Sequence, residues 1–137
     1  YYAHPRNHFW PILSALWGLQ GDRALQRRPY DERVTTALAH GLGIWDVYAA
    51  CQREGSLDSA IEQAELNPLH LLRTWAPGLR GIAHNGGESA RHMKITQSLG
   101  LPVVKLPSTS PANASWSFER KLAAWREAFD RFGMPVV

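Results

Sequence analysis

The sequence predicts an α/β domain built on a parallel sheet with helices on both faces. Three observations carry this. The C-terminal half alternates short apolar runs with longer helical patterns in the order strand, helix, strand, loop, helix, which calls for crossover connections and parallel strands. Gly41, Asn67-Pro68, Asn85-Gly86-Gly87 and Gly100 punctuate the alternation. The length of 137 residues, with 45% hydrophobic and 20% charged residues, suffices for one domain spanning 1–137 and excludes a disordered chain.

Each element has its own local warrant. Phe9, Ile12, Leu13 and Leu16 recur at helical spacing, so residues 8–19 read as a helix with Pro11 near its first turn. Gly18, Gly21 and Arg27-Arg28-Pro29 mark the loop after it. Asp31 is the expected N-cap of a second helix that runs to Ala39 or His40 and is closed by Gly41. Gly43-Ile44-Trp45-Asp46-Val47-Tyr48 is a β-leaning run with one charge inside it. Ser56 caps a third helix to about residue 66, with Asp58 in the first turn where negative charge suits the dipole, and Asn67-Pro68 stops it.

The second half reads more plainly. Residues 79–84 form a strand, Asn85-Gly86-Gly87 a tight turn, residues 88–99 a helix ended by Gly100, and residues 102–106 the next strand. A polar loop over 107–115 leads to a last helix over 117–132. Phe118, Leu122, Trp125, Phe129 and Phe132 lay one apolar stripe along that helix, with Glu119, Arg120, Lys121, Arg126, Asp130 and Arg131 expected on the rest of its surface. Open parallel sheets bind ligands at the carboxyl ends of their strands. Here those ends are Asp46, Asn85 and Ser108-Thr109-Ser110.

Several chemistries are excluded. The lone cysteine, Cys51, cannot form an internal disulfide, a zinc site of several cysteines or a cubane iron–sulfur cluster, and it fits a reduced, cytoplasmic setting. No apolar run approaches the ~18 residues of a membrane span. The P-loop, GxGxxG, HExxH and GxSxG patterns are all missing. His4 and His8 are four apart, but Pro5 between them argues against a helical metal face. Lys94, Lys105 and Lys121 are the only lysines, and none falls among the polar residues near the N-terminus. The formal charge of +3 is unevenly spread, with +3 on residues 1–30, −5 on 31–65 and +5 on 66–137. If the basic ends meet they form a patch for a polyanion; an ordinary mixed surface has the same composition.

Three polar clusters remain, each with two readings. In Tyr1-Tyr2-Ala3-His4-Pro5-Arg6-Asn7-His8, rings, imidazoles and an amide can face one ligand, or Asn7 can simply cap the following helix. In Leu106-Pro107-Ser108-Thr109-Ser110-Pro111-Ala112-Asn113, hydroxyls and backbone N–H groups can cradle a phosphate or satisfy a turn. Asp46 is either a base-reading acceptor at a strand end or a partner for a nearby N–H.

Four segments, in order, carry a resemblance. Residues 1–10 (Tyr-Tyr-Ala-His-Pro-Arg-Asn-His-Phe-Trp), 43–47 (Gly-Ile-Trp-Asp-Val), 55–59 (Gly-Ser-Leu-Asp-Ser) and 106–113 resemble the uracil-DNA glycosylase superfamily, and within it the hypoxanthine-DNA (deoxyinosine) glycosylase branch. The resemblance implies a three-layer αβα domain with a central parallel sheet that hydrolyses the N-glycosidic bond of a deaminated base. The nucleotide must first be flipped out of the helix.

By motif, Asn7 matches the residue that places the attacking water. Tyr2 matches the ring that stacks on the base. Asp46 matches a position lining the base pocket, and Ser108 a contact to the base or leaving group. Ser110, with Thr109 and Asn113 in the same loop, matches the grip on backbone phosphate. The resemblance further implies a monofunctional enzyme without metal or organic cofactor, acting as a monomer on double-stranded or single-stranded DNA. The alternative is a catalytically silent DNA-binding module of the same fold. In the family a first strand and a Gly-Ser-Phe-Pro-like loop precede the Tyr-Tyr-Ala-His-Pro segment. This chain starts after that point, which predicts an uncovered sheet edge near Tyr1.

Overall fold

The computed structural model describes residue 2 and residues 4–45, 48–50 and 65–137. Along the chain these form helices α1 (Phe9–Leu16) and α2 (Tyr30–Ala39), strands β1 (Tyr48–Ala50) and β2 (Glu65–Leu66), and the single-turn helix α3 (Leu72–Trp75). Strand β3 (Ile82–Asn85), short helices α4 (Gly87–Ala90) and α5 (Met93–Gln97), strand β4 (Val103–Leu106) and the long helix α6 (Phe118–Arg131) follow.

β3 and β4 pair in parallel with Ile82 opposite Val103 and Asn85 opposite Leu106. Alternation along the strands then sorts the layers. Val104 and Leu106 point into the cluster formed by Phe9, Trp10, Leu13 and Leu16 of α1 and Trp125 and Phe129 of α6. His84 faces the other way, onto Ser89 of α4 and Thr96 of α5. Helices therefore cover both faces of the parallel pair, as expected for an αβα sandwich.

The N- and C-terminal basic segments meet. α1 packs on α6, and the Val137 N–H donates to the Leu16 carbonyl at 2.9 Å. α6 starts where Ser117 accepts from the Arg120 N–H at 3.2 Å, within one residue of the predicted boundary.

Other boundaries differ from the sequence reading. α2 begins one residue before Asp31, with Pro29 at the cap and Asp31 and Glu32 in the first turn, where their charges suit the helix dipole's positive end. The expected single helix over 88–99 is two short ones. Ser89 and Thr96 each contact the His84 ring at 2.8 Å. On a straight helix seven residues span about 10.5 Å, too far for one imidazole to bridge, so the break brings both hydroxyls to the ring. No described residue of the run over 43–48 forms a third parallel strand either. Residues 42–45 lie outside any strand, and β1 pairs antiparallel with β2. Leu66, expected to end a helix, lies in β2, while Ser56, Asp58 and the rest of that predicted helix fall outside the described residues, as do Cys51 and Tyr1 with its predicted sheet edge.

Candidate active site

The polar segment before α1 and the loop after β4, 100 residues apart in sequence, are joined directly. The His8 N–H donates to the Thr109 carbonyl at 2.9 Å. Asn7 is therefore held beside the loop that carries Ser108 and Ser110.

Asn7 bonds the start of α1, as its capping reading expects. Its Oδ1 accepts the Phe9 N–H at 2.9 Å, satisfying a free donor at the start of α1. That bond fixes the amide plane, and the side chain makes no further hydrogen bond among the described residues. An amide held this way keeps two donors and a lone pair for a ligand. Tyr2 stacks on Phe9 with ring centroids 4.1 Å apart and planes at 27°. Its backbone has φ +60°, the left-handed region that a non-glycine residue rarely adopts, so the chain bends sharply there to set the ring on α1.

The loop over 107–115 is bonded to itself and to β3. Ser108 Oγ accepts from the Ser110 N–H at 3.1 Å, Ser110 Oγ from the Ala112 N–H at 3.2 Å, and Asn113 Nδ2 donates to the Ser108 carbonyl at 3.1 Å. Gly86, at the end of β3 with φ +95°, lies so near that a Cβ there would stand 3.0 Å from Ser108 Cβ. Asn85 clamps the loop at both ends of its amide: Nδ2 donates to Thr109 Oγ1 and Oδ1 accepts from the Thr109 N–H, each at 3.0 Å.

Thr109 departs from expectation. It is 0% exposed with its hydroxyl engaged by Asn85, so it holds the loop, and in this arrangement its side chain faces no solvent-borne phosphate. Ser110 and Asn113 are only partly buried or exposed. Asp46 lies outside the described residues.

Two residues belong to the site that the polar pattern did not single out. Lys121, expected on the solvent side of α6, is 1% exposed, and its Nζ lies 3.1 Å from His8 Nδ1 and 3.4 Å from the Ser110 carbonyl. The signal was present in the spacing, because 118, 121 and 125 share one face of a helix. Burial lowers the Lys121 pKa from its ordinary value. His8 is likewise pushed down, first by burial and then by the Lys121 charge, with Glu119 opposing. The second residue is Asn85, visible in sequence only as a strand end. Among the described residues no group of three or more His, Cys, Asp or Glu could hold a metal ion, and no helix is long and apolar enough to cross a membrane.

Comparison with known proteins identifies the family. No family model matches the chain. It is 34% identical over 131 residues to a hypoxanthine DNA glycosylase of Methanosarcina barkeri, covering 96% of this chain and 80% of the relative. A hypoxanthine DNA glycosylase of Methanosarcina acetivorans is 33% identical over 129 residues, 94% of this chain and 78% of the relative. A solution NMR structure from Methanosarcina acetivorans, assigned as a uracil DNA glycosylase, superposes with a TM-score of 0.81 at 32% identity, covering 96% of this chain and 79% of that one. The chain belongs to the uracil-DNA glycosylase superfamily, in its hypoxanthine-DNA glycosylase branch.

Proposed function

We propose that this protein is a monofunctional DNA glycosylase of base-excision repair that hydrolyses the N-glycosidic bond of a flipped-out deaminated base, hypoxanthine first and uracil second, and leaves an abasic site. The observation that carries the reading is the junction of the Asn7 segment with the 107–115 loop through the His8 N–H and the Thr109 carbonyl. It supports the reading by bringing the Asn7 segment beside the hydroxyl-rich loop, with the Tyr2 ring stacked on Phe9 of the adjoining helix.

The roles follow from chemistry. A base inside a duplex is unreachable, so the nucleotide rotates out and its ring needs a stacking partner. Tyr2, stacked on Phe9 at the start of α1, is the ring that the family motif assigns to this role. Asn7, its amide fixed by the Phe9 N–H, orients the attacking water and eases the oxocarbenium-like charge on the sugar. Hypoxanthine and uracil leave as delocalised anions, so hydrogen bonds to the departing base lower the barrier without a strong acid. Ser108 is the donor on the loop side, and Asp46 is assigned to base recognition by its match to the family motif.

Ser110 through its hydroxyl proton and Asn113 through its second amide N–H hold the backbone phosphate, and Thr109 supports them from below. No step requires a lysine nucleophile, a metal or an organic cofactor. We further infer a double-stranded DNA substrate, an intracellular location and a monomeric enzyme.

The test is base release from end-labelled duplexes bearing a single inosine, uracil or thymine mismatch, with alkali cleavage of the abasic product. Asn7→Ala is expected to lower the single-turnover rate about 100- to 1,000-fold, the scale on which one transition-state-directed amide acts, while duplex affinity is kept. Duplex affinity itself should fall as salt rises. Release mainly from uracil would move the substrate preference. DNA binding without release from any substrate would favour the silent DNA-binding module.

A further inference from the structure

We propose that Lys121 is a positioning residue for base release: held between His8 Nδ1 and the Ser110 carbonyl, it fixes the His8 imidazole in its Nε2–H form and docks the 107–115 loop beside Asn7. This rests on the glycosylase reading above and adds a residue that acts through its neighbours.

The first argument is cost. Lys121 is 1% exposed and takes part in none of the ion pairs among the described residues. A cation removed from water and met only by neutral acceptors is expensive. Position 121 shares its helix face with Phe118 and the buried Trp125, where an apolar side chain would pack without that cost. Stability therefore gives no reason for a lysine here.

Geometry does. An ammonium only donates, so the ring nitrogen it faces must present its lone pair, which leaves the His8 proton on Nε2. The same charge, added to burial, resists a second proton on the ring. Lys121 and Glu119 of α6 are the charged groups acting on His8. α1 and the 107–115 loop carry no titratable side chain, and His4 and Arg6 precede His8 on its own segment. Because the His8 N–H also holds the Thr109 carbonyl and Asn7 is its chain neighbour, imidazole, amide and loop move as one unit.

The experiment combines ¹⁵N NMR of the His8 ring with single-turnover release from an inosine duplex, using the wild-type chain and Lys121→Met. In the wild type the proton should reside on Nε2 with Nδ1 unprotonated. In Lys121→Met the two tautomers should mix, His8 should titrate at higher pH, and the acid limb of the rate profile should move up with it. The rate should fall about 10- to 100-fold, as for a small misplacement of reacting groups, with duplex affinity kept and melting temperature unchanged or raised.

A wild-type His8 carrying its proton on Nδ1 overturns the proposal, and that measurement needs no variant. So does a variant whose rate and pH profile match the wild type. A slower variant that melts earlier and keeps the wild-type tautomer also overturns it, since the lysine would then be structural. A wild-type chain that releases no base from inosine, uracil or mismatch duplexes sinks the glycosylase reading itself, and the positioning role falls with it.

Discussion

Asn85 is the single side chain on which the loop geometry depends most. It donates to the Thr109 hydroxyl and accepts from the Thr109 N–H, both at 3.0 Å, inside a region where Thr109 is fully buried. Asn85→Ala removes both partners at once, and an orphaned buried N–H costs about 1–3 kcal/mol. Urea denaturation should show a loss of that size, and base release should fall further, because Ser108 and Ser110 flank the released residue. A variant as stable and as active as the wild type would mean that Thr109 finds other partners. At this scale the sequence was readable wherever residue type limits the options. Asn before a helix is a cap or a ligand-facing amide, and the Asn7 side chain is seen bonding the start of α1. Lys121 was misplaced because a charged residue is assigned to solvent by default, although its spacing from Phe118 and Trp125 set it on the buried face.

At the scale of elements, the turn from β3 into α4 governs how closely the loop after β4 approaches. Gly86 combines φ +95° with a Cβ position 3.0 Å from Ser108 Cβ, so an alanine meets both backbone strain and a contact that must give. Gly86→Ala should cost about 1–3 kcal/mol in thermal or urea unfolding and slow base release with Asn7 intact. Ser117→Ala supplies the contrast. Losing the cap bond to the Arg120 N–H should cost about 1 kcal/mol and slow base release far less than Gly86→Ala, because the Ser117 side chain bonds only within α6 itself. The β3–β4 alternation, the polar loop and the capped last helix were legible because each has a local cause in patterning or capping. The division of the 88–99 region was not. It answers to the His84 ring, a tertiary demand that helical periodicity does not encode. The pairing of β1 with β2 was likewise settled by partners and not by the apolar run itself.

Over the whole molecule, a buried histidine and a partly buried one, both with lowered pKa, tie stability to pH. His84 is 3% exposed between hydroxyls on α4 and α5. Thr96 Oγ1 gives its proton to the Met93 carbonyl at 3.0 Å, so it accepts from His84 Nε2–H, and Ser89 Oγ donates to Nδ1. The ring is thus neutral and fully partnered, and burial holds its pKa below the ordinary 6.5, with the Ser89 backbone opposing the decrease and His92 adding to it. His8 is lowered as well, by burial and by Lys121, so both groups act in the same direction. Between the folded-state value and the unfolded-state value, the unfolded chain binds more protons, and stability rises with pH. The penalty is absent above the unfolded-state value and complete below the folded-state value. The urea midpoint should therefore fall as pH is lowered from about 8 to about 5, through the range in which histidines titrate. His84→Gln, which cannot take up the proton, should flatten that slope without abolishing it, because His8 still titrates. A midpoint constant over this range would show that the folded and unfolded chains hold these protons equally. A slope identical in the His84 variant would assign the effect to His8 and its lysine, placing the acid sensitivity of the fold at the same junction that joins Asn7 to the loop.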